Sequence, residues 1–183
     1  MAYRVTPTAL PEVLILEPRL FSDARGSFFE SYTDVAFREA TGLVRHFVQD
    51  NHSMSIRGVL RGLHFQLVRP QGKLVRAIRG SIFDVAVDLR RSSPTFSQWV
   101  GVALSAENRR QLWVPEGFGH GFLVMSDEAE VLYKTTEYWV PAHDRSLRWD
   151  DEALAIRWPI AGNPLLAEKD ARAPSLEASV VYG

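Results

Sequence analysis

Apolar residues along this 183-residue chain fall in short alternating runs, separated by turn formers rather than by helical stretches. VLILEP (13–18), SFFESY (27–32), KLVRAI (73–78), IFDVAVDL (82–89), WVGVAL (99–104), HGFLVM (120–125) and EVLYKTTEYWV (130–140) are rich in β-branched and aromatic residues and predict strands. Asp23-Ala24-Arg25-Gly26, Arg79-Gly80, Ser92-Ser93-Pro94, Pro115-Glu116-Gly117 and Pro141 supply the turns between them. One helix is predicted over 34–41, with Thr33 or Asp34 as N-cap and Gly42 as its stop. The C-terminal part, rich in Pro, Ala and acidic side chains, predicts short helical turns laid over the surface. No repeat or linker divides the chain, so residues 1–183 are read as one domain. Many short strands with little helix predict an all-β fold, a sandwich or a jelly-roll barrel.

Strand alternation sorts side chains onto faces. In 82–89, Phe83, Val85, Val87 and Leu89 share one side, and Asp84, Ala86 and Asp88 the other. Tyr133, Thr135, Glu137 and Trp139 share a face, as do Gly62, His64 and Gln66 of LRGLHFQ (60–66). A barrel interior taking the polar sets would gather His, Asp, Gln, Tyr and Trp in one lumen, the composition of a site rather than a core. Alternation also puts Arg61 opposite His64, unless the strand bulges at Gly62 or Arg61 reaches round the barrel mouth. Both routes are open.

Composition narrows the function classes. The net charge of −1 leaves no basic excess to neutralise phosphates, so no nucleic-acid partner is expected. The absence of cysteine excludes disulfides, thiolate nucleophiles and cysteine metal sites. MAYRVTPTAL lacks the pattern of a signal peptide, and no apolar run is long enough to span a bilayer. The expectation is a cytoplasmic protein without a membrane partner.

His64 then has three readings: metal ligand, packed core histidine, or base. A lone strand histidine is more often structural than catalytic. Glycines at 58 and 62, however, mark a bulge or the close approach of a ligand. GVLRGLH and PEGFGH (115–120) together resemble the two motifs of the cupin superfamily, a small jelly-roll barrel. Metal-binding cupins draw two His and one Glu from the first motif and one His from the second. Here His64 and His120 stand, but Gln66 replaces the second His and Lys73 lies near the Glu position. An ammonium beside a divalent cation is repulsive, so a metal-free lumen is expected.

A longer series of segments carries a more specific resemblance. LILEPRLFSDARGSFFESY, FVQDNHS, LRGLHFQ, QGKLVR, FDVAVDLRRSSPTF, ENRRQLWVPEGFGHGF, LYKTTEYW, LRWDDEALAIRWP and LLAEKD resemble the dTDP-4-dehydrorhamnose 3,5-epimerase family, in order, from about residue 13 to 170. The resemblance implies a cupin-type jelly roll that converts dTDP-4-dehydro-6-deoxy-D-glucose to dTDP-4-dehydro-L-rhamnose, for L-rhamnose supply to cell-surface polysaccharide, without metal or organic cofactor.

Epimerisation beside a ketone needs a base, a group that stabilises the enolate oxygen, and an acid on the opposite face. By resemblance His64 is the base, held by Asp170; Lys73 stabilises the enolate; and Tyr133 is the acid, its phenol acidified by a cation such as Lys73. Arg25 and Arg61 would bind the diphosphate, and His120 would lie near sugar or phosphate. Glu30, Gln49, Asp50, Asn51 and Lys169 would contact the nucleotide. Trp139 would stack on the base where the family more often has Tyr, and Asp144 stands where the family tends to have Glu.

Taken singly, several of these residues carry blander readings. Arg25, Arg61 and Lys169 read as solvated surface charges, Glu30 as an exposed strand residue, and Gln49-Asp50-Asn51 as an Asx turn. Trp149, Trp158 and Phe118 read as core or interface. Asp84 would orient Lys73 or His64, or form a structural salt bridge. The resemblance also implies a homodimer that exchanges N-terminal strands, so that Arg25 and Glu30 serve the neighbouring site. Three rival functions are an epimerase acting at a single carbon, a metal-dependent cupin such as an oxygenase, and a non-catalytic sugar-nucleotide binding module.

Overall fold

A computed structural model describes residues 2–183 and shows an all-β jelly roll of two antiparallel sheets. The strands are β1 (Tyr3–Pro7), β2 (Leu14–Pro18), β3 (Phe21–Asp23), β4 (Gly26–Phe28), β5 (Gln49–Ile56), β6 (Leu60–Gln66), β7 (Lys73–Arg79), β8 (Ser81–Asp88), β9 (Trp99–Ser105), β10 (Gln111–Val114), β11 (Phe118–Val124), β12 (Glu128–Thr135) and β13 (Asp144–Ser146). One sheet runs β1-β2-β10-β7-β12-β5, and the facing one β13-β6-β11-β8-β9. Strands β3 and β4 form a separate hairpin.

Helix α1 (Asp34–Thr41) has the predicted bounds, and its caps explain them. The Thr33 hydroxyl accepts from the Ala36 N–H at 3.2 Å, and Gly42, at φ 73°, donates back to the Arg38 carbonyl. Its buried Phe37 meets Trp113, Phe47 and Tyr32 in tilted and edge-on contacts, which seals part of the outer face of the six-stranded sheet. Of the short helical turns predicted for the C-terminal part, α2 (Glu168–Ala171) forms, and a short 3-10 turn (Pro141–His143) precedes that part. Beyond them Leu154, Trp158, Leu176 and Val181 cover the outer face of the five-stranded sheet, against Leu63, Val85 and Val87.

Between the sheets the interior divides. Val75, Ala77, Ile82, Val102, Leu104, Phe122, Val124 and Val131 fill one part with apolar packing. Lys73, Asp84, His120 and Tyr133 occupy the other, so only part of the lumen is polar. Asp88 leaves it altogether: its carboxylate accepts from Arg90, Ser93 and Thr95 in the β8–β9 connection. Phe118 and Trp158 are core residues, as read from sequence.

Two predicted strands end early. Residues 27–32 contribute only the end of the β3–β4 hairpin, where Phe28 is 71% exposed. Strand β12 stops at Thr135, whose hydroxyl donates to the Glu137 carbonyl and turns the chain before Trp139. Trp139 therefore arrives from a loop, and Glu137 lies outside, paired with Arg69.

The alternation problem at Arg61 resolves as a bulge. Against β11, His64 stands opposite His120 and Arg61 opposite Phe122, so β6 spends three steps where β11 spends two. Gly62 sits in the bulge at φ 124°, where an added Cβ would lie 2.5 Å from the Gly121 Cα. Leu63 is thereby buried in the outer cluster, while Arg61 turns to the side of His64 and donates to the Ser55 hydroxyl at 3.0 Å. Gly62→Ala is expected to cost on the order of 3 kcal/mol in urea unfolding. Gly58→Ala, also at positive φ but with no atom within 4 Å of its Cβ, is expected to cost about 1 kcal/mol. Equal costs would show that the close approach at the bulge is not what holds β6.

Candidate active site

The polar part of the barrel opens as a cavity lined by Gln49, Asn51, His64, Phe65, Gln71, Lys73, Tyr133, Trp139 and Asp144. Strands of both sheets supply its chemical groups. From β6, His64 Nε2 lies 2.6 Å from Asp170 Oδ1, and the other carboxylate oxygen accepts from the Gly62 N–H at 3.3 Å. Burial alone would raise the Asp170 carboxyl, but His64 and that N–H overcome it and hold the group below its ordinary range. An ionised Asp170 commits Nε2–H and leaves Nδ1 as the free imidazole nitrogen.

From β7, Lys73 is 7% exposed. Among the described residues its ammonium makes one hydrogen bond, a long one of 3.5 Å to the His64 carbonyl, and no carboxylate lies within 4 Å of it. Burial pushes it down to about 8, against the opposing pull of Asp144 and Asp84. From β8 and β11, Asp84 and His120 form a buried pair, with His120 Nε2 at 2.9 and 3.1 Å from the two carboxylate oxygens. Burial holds His120 below its usual value despite Asp84, so the imidazole is neutral at neutral pH. Asp84 thus binds His120 directly, rather than Lys73 or His64. His120 stands behind the cavity instead of among its lining residues.

From β12, Tyr133 faces the cavity. Burial raises its phenol, and the cation that opposes this is Arg61, not Lys73 as the sequence suggested. Alternation along β5 separates the QDN triplet. Gln49 and Asn51 line the cavity and bond each other at 2.9 Å, whereas Asp50 points to the opposite sheet face and pairs with Lys134. Asp144 and Lys169 form an ion pair at the cavity edge. Trp139 stands at the mouth, 54% exposed.

Besides Asp50, the resemblance-assigned Arg25 and Glu30 lie apart from this cavity in the single chain. Arg25 pairs with Asp23 at the hairpin tip, and Glu30 accepts from the Thr33 hydroxyl. Conversely, Gln71 lines the cavity without having been singled out, although it stands two positions before Lys73 in QGK. Gln66 offers no ligand atom to the lumen, because its amide is spent on backbone groups. Among the described residues no three His, Asp or Glu side chains converge as a metal site.

The model of the dTDP-4-dehydrorhamnose 3,5-epimerase family matches residues 7–178. The dTDP-4-dehydrorhamnose 3,5-epimerase of Pseudomonas aeruginosa is 61% identical over 167 residues, covering 91% of this chain and 92% of that one. This chain belongs to the dTDP-4-dehydrorhamnose 3,5-epimerase family. The Salmonella typhimurium enzyme of that name is 57% identical, over 97% of each chain. A crystal structure of the Legionella pneumophila dTDP-6-deoxy-D-glucose-3,5-epimerase, in complex with dTDP-4-keto-L-rhamnose, superposes with a TM-score of 0.94 at 48% identity, covering 96% of this chain and 94% of that one. As a family member the chain is an isomerase, and of the residues that the family resemblance assigned to catalysis, His64, Lys73 and Tyr133 line one cavity while Asp170 is bonded to His64.

Burying Lys73 has a measurable cost with a definite sign. Its folded value of about 8 lies below the ordinary 10.5, so between these pH values the unfolded chain keeps a proton that the folded one has released. Stability contributed by this residue therefore rises with pH across that window, and below it the buried cation costs roughly 3 kcal/mol. Lys73→Met is expected to be more stable than the parent at pH 7, with the gain shrinking towards pH 10 in paired urea titrations. A variant less stable at pH 7 would mean that the ammonium is stabilised where it lies.

Proposed function

We propose that this chain converts dTDP-4-dehydro-6-deoxy-D-glucose to dTDP-4-dehydro-L-rhamnose by inverting carbons 3 and 5. The observation that carries this reading is the meeting, in one cavity, of a carboxylate-held imidazole, a buried ammonium without an ion-pair partner among the described residues, and a phenol. His64 takes the proton from the carbon beside the ketone, and the C–H electron pair moves to the carbonyl oxygen as an enolate. Lys73 meets that oxygen; its charge is worth most where water is excluded. Tyr133 returns a proton to the other face, and Asp170 stabilises the imidazolium in between. Loss of either carbon-bound proton leaves the negative charge on the same C4 oxygen, so one oxyanion site serves both inversions.

The cavity, at about 230 Å³, is smaller than those that enclose a whole drug-sized ligand, ~300–1,000 Å³. The sugar fills it, and the nucleotide lies across the mouth over Trp139, Gln49 and Asn51, with Lys169 and Asp144 at the edge. Arg61 takes a phosphate oxygen from its place beside Ser55. His120 acts from behind, keeping Asp84 positioned near the lysine.

A second copy of the chain completes the site. The β3–β4 hairpin carries Phe21 and Phe28 exposed, and β5, whose Gln49 and Asn51 line the cavity, is an unpaired sheet edge. Exchange of N-terminal strands covers both and delivers Arg25 and Glu30 to the partner's cavity. The reading also takes residues 1–183 as one domain working in the cytoplasm, without metal or organic cofactor; no helix among the described residues is long and apolar enough to cross a membrane.

The test is incubation with the 4-keto-6-deoxy sugar nucleotide in deuterated water. Deuterium at carbons 3 and 5 is the expected result; label at one carbon would indicate a single epimerase, and label at neither would overturn the proposal. His64→Ala is expected to lose exchange at both positions, with a rate reduction on the order of 10³-fold. Tyr133→Phe is expected to keep partial exchange while failing to complete inversion. Activity of the parent is expected to fall as pH rises above about 8, where Lys73 loses its charge. A stoichiometric metal in the purified protein, with activity lost on its removal, would favour the metal-dependent cupin instead.

A further inference from the structure

We infer that Gln66 is a positioning residue for the nucleotide: it sets the height and tilt of the Trp139 platform without touching substrate. This rests on the proposed role of Trp139 in carrying the base. Gln66 is 2% exposed, two positions beyond His64 on β6. Its side-chain amide makes three hydrogen bonds, since Nε2 donates to the Arg69 carbonyl at 2.6 Å and the Tyr138 carbonyl at 3.1 Å, while Oε1 accepts from the Val140 N–H at 2.7 Å. Tyr138 and Val140 are the two neighbours of Trp139. The Trp139 N–H itself donates to Gln49 Oε1 at 3.1 Å, so the backbone of three successive residues is held by two glutamines.

The segment needs such a clamp, because β12 has ended at Thr135 and no ladder bonds hold residues 138–140. Only a primary amide suits the position. Two carbonyls require donors and one N–H requires an acceptor, and Gln supplies both from one planar group. A carboxylate would face two carbonyl oxygens with no proton to give, and a buried group left unpaired costs more than the bond it replaces contributes. The position where a metal-binding cupin carries its second histidine is thus occupied by a group that turns away from the lumen and fastens its rim.

The experiment measures dTDP affinity by calorimetry, together with kcat and KM, for Gln66→Met, Trp139→Ala and the double variant in the full-length protein. Gln66→Met is expected to weaken dTDP binding and raise KM about tenfold while changing kcat less than about threefold. In the Trp139→Ala background the same change is expected to add less than about twofold, because a residue acting only through the platform has nothing left to act on. Gln66→Glu is expected to bind better at acidic pH, where a protonated carboxyl regains one donor. Should Gln66→Met fail to fold, Gln66→Asn keeps the amide one methylene short and gives the same readouts. Unchanged dTDP affinity in the Gln66 variants, or fully additive losses in the double variant, would overturn the inference. Trp139→Ala without effect on dTDP binding would instead overturn the platform itself.

Discussion

The close approach of β6 to β11 at Gly62 and Gly121 is the constraint on which the rest of the site depends. Without a Cβ at either position the two backbones can come near enough for β6 to carry one extra residue. That residue reverses the alternation once, so that Leu63 packs outward beneath Leu147 while Arg61 and His64 both face inward. The Gly62 N–H, released from the ladder, donates to Asp170. One irregularity therefore aims the imidazole, frees a donor for its carboxylate partner, and ties the short α2 to the barrel. A regular strand would provide none of these together.

The lumen behind His64 shows what stability is spent on chemistry. An interior filled throughout like the Val75–Ile82–Leu104 region would be the more stable arrangement, yet Lys73, Asp84 and His120 are enclosed instead. Their arrangement limits the cost. Burial disfavours the charge on the His120 imidazole, which keeps a hydrogen bond to Asp84, so the enclosed set carries less charge than its three titratable groups could. Asp84 is near enough to favour the Lys73 cation but makes no ion pair with it, and the ammonium commits only one long hydrogen bond, to the His64 carbonyl. A fully paired lysine would be cheaper to bury and less useful, because a developing oxyanion would have to displace its partner before being stabilised.

Much of this was legible in the sequence where side-chain pattern and burial agree. The bounds of α1 follow from Thr33 and Gly42 because caps are local chemistry. The β8 alternation was readable because Asp84 interrupts a run of aliphatics, and the bulge at Gly62 was one of two alternatives that the misplaced Arg61 left open. Strand β5 was not recognised as a strand, since QDNHSMSI turns one face to a polar cavity and the other to an exposed surface, so it carries no hydrophobic period. The same omission hid the separation of Asp50 from Gln49 and Asn51, which follows at once when the triplet is extended. Residues 27–32 failed in the opposite direction: their aromatic pattern promises burial that one chain does not provide at Phe28. The partnership of Asp84 with His120 depends on register between β8 and β11, a non-local quantity that no short window contains.

The two positions where a metal-binding cupin would place ligands show how one barrel can change chemistry with few substitutions. A metal would supply a fixed positive charge at the centre of the lumen, and it needs several donors aimed at one point. Lys73 supplies a positive charge covalently attached to β7, and so needs none of them. The donors are then free for other work: His64 turns its Nε2 to Asp170, His120 turns its own to Asp84, and Gln66 clamps the rim. Each imidazole spends one ring nitrogen on its own carboxylate and Gln66 spends its amide on backbone groups, and among the described residues no three His, Asp or Glu side chains are aimed at one point. Replacing the ammonium by a carboxylate would add a donor but leave each imidazole bonded to a carboxylate of its own. On the proposed mechanism the electrophile is then the one that the chain itself carries.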